Sequence, residues 1–134
     1  MSRLTIFLAR SIGLFAVLVV IGLFVRGGAV IRTAASDSPM MFTYAIISLA
    51  LGLAMVLGHN IWKGGVLPVV VTLVGWLILA KGLTLLLLKP DALTGLMQGI
   101  HYTENANVYL VPSFVIGLYL VWAGFTTAMP PRGD

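Results

Sequence analysis

The sequence predicts an all-α integral membrane protein: a four-helix bundle with a short interfacial helix between the third and fourth spans. Three observations carry this. Hydrophobic residues make up 60 % of the 134 residues and charged residues 9 %, where a soluble domain has roughly 25 % charged residues. Mean hydropathy is +1.07, and a soluble core of this length would leave much of that apolar surface facing water. The apolar residues also gather into four long runs, at about 4–25, 39–62, 66–88 and 108–129. A helix needs roughly 20 such residues to cross about 30 Å of hydrocarbon. Finally, of the eight basic and four acidic side chains, only Arg10 and Lys81 fall inside the runs. The chain is expected to form one transmembrane domain over 1–134.

The first run, 4–25, reads as a span rather than a signal peptide. It is long, and Arg26 and Arg32 follow it before any good small-x-small cleavage site. The second begins at Ser38-Pro39, a cap residue followed by a proline suited to the first turn. A tight hairpin through His59, Asn60, Ile61, Trp62 and Lys63, closed by Gly64-Gly65, leads to the third. Lys89-Pro90 ends the third span, and Pro130-Pro131 ends the fourth. Pro112 predicts a kink in the fourth, or a start nearer Ser113. Over 90–100, Ala92, Leu93, Leu96, Met97 and Ile100 share one arc at helical period. That pattern suits a helix lying in the membrane interface, with an irregular loop as the alternative because Gly95 and Gly99 fall inside it.

Four spans place both termini on one side. That side carries Arg3, Arg10, Lys63 and Arg132. The other carries Arg26, Arg32 and Lys89, with Lys81 nearer to it, and three acids, Asp37, Asp91 and Glu104. This thin bias leans to cytoplasmic termini. No basic stripe exists, so no nucleic acid partner is expected. Small residues four apart form rows at Ala50, Ala54 and Gly58, at Ala9 and Gly13, and at Ser113 and Gly117. They read as bundle packing, with a specific oligomer interface as the alternative. Trp62, Trp122 and Tyr44 fall near span ends, whereas Trp76 lies deeper and is expected to find its indole partner inside the bundle.

Arg10 can reach the interface by snorkelling. Lys81 starts about two turns inside the third span and is expected to face the bundle. Its expected partners are Glu104 or Asp91, or the hydroxyls of Tyr44 or Thr43. A charge left in hydrocarbon costs at least about 2.5–3.5 kcal/mol on insertion scales. Fixing helix register and contacting a ligand both remain open roles for it.

Catalytic motifs are missing. The chain has no cysteine, which removes disulfides and thiolate metal sites. His59 and His101 fall at opposite membrane faces and cannot share a metal or haem, and each reads as an interfacial polar residue. No carboxylate lies in any span, against coupled transport through an intramembrane acid. No catalytic residue, cofactor or metal site is therefore expected. The best polar cluster is His59, Asn60 and Lys63 with Arg10, suited to an anionic headgroup.

The strings Gly58-His59-Asn60-Ile61-Trp62, Val71-Thr72-Leu73-Val74-Gly75-Trp76-Leu77 and Lys81-Gly82 resemble those of a group of small bacterial four-span inner-membrane proteins. The resemblance covers about two thirds of the chain. It implies a four-span fold and a bacterial envelope setting, with no activity attached. It directs attention to His59, Asn60, Trp62, Trp76 and Lys81, alongside Arg10 and Glu104. The leading expectation is a non-enzymatic accessory or scaffold subunit, contacting lipid and either itself or a larger membrane complex. The alternatives are an oligomeric channel or carrier for a neutral or anionic solute, and a lipid-acting enzyme with His59 as base.

Overall fold

A computed structural model describes residues 1–101 and 104–131. Among them are six α-helices and no strand: α1 (Arg3–Arg26), α2 (Gly28–Ser36), α3 (Ser38–Gly58), α4 (Val66–Leu87), α5 (Pro90–Gly99) and α6 (Ala106–Thr126). Four of them, α1, α3, α4 and α6, are long and apolar enough to cross a membrane. The chain is thus an all-α, multi-pass membrane protein whose apolar helices meet lipid. Arg132, counted above with the terminal-side cations, lies outside the described residues.

Caps explain most of the boundaries. The Ser2 hydroxyl accepts the Thr5 N–H at 3.1 Å and opens α1. Gly27, at φ 77°, closes it by donating to the Leu23 carbonyl. The Asp37 carboxylate accepts the Met40 N–H at 2.9 Å and opens α3. Gly64 and Gly65, at φ 92° and 121°, turn the chain into α4, a backbone state that side chains with a Cβ disfavour. Pro90 sits in the first turn of α5, where a missing N–H costs nothing.

Several expectations need correction. Between the first two apolar runs lies a helix, α2, that no expectation covered. The second span stops at Gly58, short of 62, because His59 is extended at φ −146° and its side chain is held by other helices. The hairpin that follows is a seven-residue connection, 59–65, closed by Gly64 and Gly65. The fourth helix starts at Ala106 and runs through Pro112, so it does not begin near Ser113.

Glycine sets the packing. A Cβ at Gly52 would lie 2.5 Å from the backbone of Leu79, and one at Gly82 would lie 2.6 Å from Leu49 N. These contacts bring α3 and α4 together. Gly13 does the same against Val121 N at 2.8 Å, and Gly117 and Gly124 receive Ala16 and Ala9, which joins α1 to α6. Such close approach lets dispersion hold helices that have no hydrophobic drive between them in lipid. The two pairs meet through α4, which touches α1 and α6. Their shared core is Ala9, Met55, Leu67, Val71, Leu120 and Ala123, all in the half of the molecule that holds the termini.

Of the three rows of small residues, Ala9 and Gly13 are buried as expected. Gly117 is buried while Ser113 is exposed. Ala50, Ala54 and Gly58 are all exposed. The face of α3 that meets α4 carries Ala45, Ser48, Gly52 and Met55 instead.

Candidate functional site

The densest polar cluster lies where α1 begins, α3 ends and α4 passes. His59 caps α3 and is only 2 % exposed, so it is no surface residue. Its Nε2 lies 2.9 Å from Thr5 Oγ1, and its Nδ1 lies 3.2 Å from Thr72 Oγ1. Thr72 Oγ1 donates to the Ile61 carbonyl at 3.0 Å and accepts the Ile61 N–H at 3.0 Å. Ser2 Oγ lies 2.7 Å from Thr5 Oγ1.

Proton counting orders this chain. A hydroxyl has one proton to give and two lone pairs. Thr72 spends its proton on Ile61, so His59 Nδ1 carries the ring proton and donates to Thr72. Nε2 then accepts from Thr5, and Thr5 accepts from Ser2. Every hydroxyl is used, and no buried polar side-chain atom among the described residues lacks a partner. This order suits a neutral ring, and burial holds its pKa below the usual histidine value, against a smaller opposing effect of a backbone hydrogen bond. Thr5 occupies Nε2 and Thr72 occupies Nδ1, so both ring nitrogens are engaged inside the protein.

Thr72 and Thr5 differ from most of the described threonines. Thr33, Thr43, Thr84, Thr94 and Thr126 each bond back to the carbonyl four residues earlier. Thr72 reaches out of its helix and pins the connection 59–65 along α4. Sequence reasoning missed Ser2, Thr5 and Thr72. The one available signal was Thr72 inside the string Val71-Thr72-Leu73.

Beside the cluster, Asn60 Oδ1 accepts the indole N–H of Trp62 at 2.7 Å and that of Trp76 at 3.4 Å. Trp76 is 43 % exposed, so its partner sits on the connection and not inside the bundle. Lys63 is exposed and does not join His59. Arg10 turns to the end of α6. Its Nε donates to the Gly124 carbonyl at 2.8 Å, a terminal Nη lies 3.5 Å from Thr127 O, and the guanidinium lies 4.8 Å from the Phe125 ring centroid. A cation there answers the unpaired carbonyls and the negative end of the helix dipole. The headgroup cluster of His59, Asn60, Lys63 and Arg10 is not assembled.

Lys81 lies near the other end of the molecule. Its Nζ donates to Tyr44 Oη at 2.9 Å and sits 4.6 Å from that ring's centroid. The tyrosine partner was expected; the inward direction, also expected, is not what the structure shows. Both residues are exposed, because the adjacent Gly82 occupies the face against α3 and turns Lys81 outward. Glu104 and Asp91 are exposed, and among the described residues neither forms an ion pair. His101, at φ 50°, precedes α6 at the end opposite His59. Among the described residues no three histidine or carboxylate side chains are grouped to hold a metal.

The arrangement can tie helices, orient aromatic side chains and hold two cations inside apolar surroundings. Compared with protein-family models, curated proteins and solved structures, the chain matches none.

Proposed function

We propose that this chain is a non-enzymatic membrane protein that acts as an accessory or scaffold subunit through helix contacts with itself or with a larger membrane complex. The observation that supports this is the outward row of Ala50, Ala54 and Gly58. Small residues four apart allow a second backbone to approach closely. The chain already uses that device inside its α3/α4 and α1/α6 pairs. On α3 a second such surface is left without a partner, while the opposite face is filled by α4. The setting we propose is a bacterial inner membrane with both termini in the cytoplasm, in line with the sequence resemblance and the charge bias.

A photo-crosslinking residue at Leu57, beside the row and 83 % exposed, tests the reading. It is expected to give a discrete protein adduct that Ala54→Trp abolishes. The same probe at Leu18 on α1 is expected to give lipid adducts alone. A lone monomer in mild detergent, with only lipid captured from Leu57, would sink the proposal.

A further inference from the structure

At the end opposite the termini, a groove of about 550 Å³ opens between α2, the start of α3, the end of α4 and α5. Met41, Phe42, Leu85, Leu86, Leu93 and Met97 line it. The volume is within the range of pockets that hold small organic ligands. The groove exists because α5 stands off: it follows α4 by two residues yet packs closely on no other helix. Its apolar side chains Leu93 and Met97 border the gap without closing it. Both α2 and α5 directly follow spans, so the groove opens at the level of the lipid headgroups.

Arg32 is the one charged side chain in the lining. Among the described residues it has neither a hydrogen-bond nor an ion-pair partner. Gln98, also in the lining, is likewise unspent. The nearby acids do not neutralise Arg32: Asp37 is used in capping α3, and neither it nor Asp91 borders the groove. An apolar trough with a free guanidinium at the headgroup level is complementary to a molecule with a hydrocarbon tail and an anionic head.

We propose that this groove is a binding site for one anionic phospholipid, its acyl chain between α5 and the α3/α4 ends and its phosphate on Arg32. The site is independent of the association reading, because it uses neither Ala54 nor the outer face of α3. Its test is native mass spectrometry of the full chain, released from nanodiscs that hold equal phosphatidylglycerol and phosphatidylcholine with matched acyl chains. One cation near an anionic headgroup contributes about 1 kcal/mol, so roughly a fivefold excess of the phosphatidylglycerol adduct is expected. Arg32→Gln is expected to bring the ratio to unity while an adduct remains. Leu93→Trp, which fills the groove, is expected to remove the adduct of either lipid. Arg26→Gln, a neighbouring cation outside the lining, is expected to keep the wild-type ratio. Equal adducts on the wild type, a preference that survives Arg32→Gln, or an adduct that survives Leu93→Trp would each overturn the proposal.

Discussion

His59 holds three segments with two nitrogens, and its burial favours the neutral form. A second ring proton would force Thr5 to turn its own proton onto Ser2. Because burial places the folded pKa below the ordinary value of 6.5, the stability this residue contributes is full above about 6.5 and is lost as pH falls through the folded value. Melting curves in detergent between pH 8 and pH 5 are expected to show the wild type losing stability below about pH 6.5. His59→Gln is expected to melt lower at pH 8 and to lack that decline; an unchanged decline would count against the assignment. In the sequence, His59 was legible as the end of a span. Its burial was not, because its partners lie 54 and 13 residues away. A threonine in an apolar run usually bonds its own helix, so nothing local distinguishes Thr5 or Thr72. Lys81 illustrates the reverse: a polar partner at Tyr44 could be anticipated from depth alone, whereas its outward direction depended on which face Gly82 occupies.

Among the elements, the spans were legible because apolar runs of this length have few other fates. Their facing was not. A helix that is hydrophobic all round carries no amphipathic stripe to show which side turns inward. Ala50-Ala54-Gly58 and the Gly52 face were therefore equivalent in the sequence, and packing against Leu79 chose the second. Helix α5 was readable from its proline and its 3.6-residue period. Helix α2, nine residues long, is as amphipathic as α5 but opens at a glycine with no side-chain cap and no proline to mark its start. The glycine contacts make a sharp test. Gly52→Ala puts a methyl against backbone that no rotamer change can move, and overpacking of this kind typically costs about 1–3 kcal/mol. A lower melting temperature and a wider α3/α4 separation by spin-label distance measurement are expected. Gly22→Ala, with nothing within 4 Å of the new atom, is expected to leave both unchanged.

For the whole molecule, the start of α1 and the segment after α6 lie together: Arg3 Nε donates to the Pro130 carbonyl at 2.8 Å. Charge counting barely separated the two membrane faces, since the cations divide almost evenly between them, so orientation rests on measurement. The chain has no cysteine, which allows single-cysteine labelling without background. In intact spheroplasts, Ala29→Cys and Asp91→Cys are expected to react with an impermeant maleimide. Lys63→Cys and Met129→Cys are expected to react only after lysis. The opposite pattern would reverse the orientation, and a mixed one would break the four-span topology.

The pairing of α1 with α6 also has a consequence for biogenesis. Helices α3 and α4 are neighbours in sequence and can dock as soon as both emerge. The carbonyl that receives Arg10 belongs to Gly124, 114 residues later. During synthesis α1 therefore enters the bilayer well before α6, and until α6 arrives its guanidinium has to reach the interface by snorkelling. A helix made early is completed by one made much later, so assembly intermediates that lack α6 leave to interfacial water a charge that the folded bundle answers with a carbonyl.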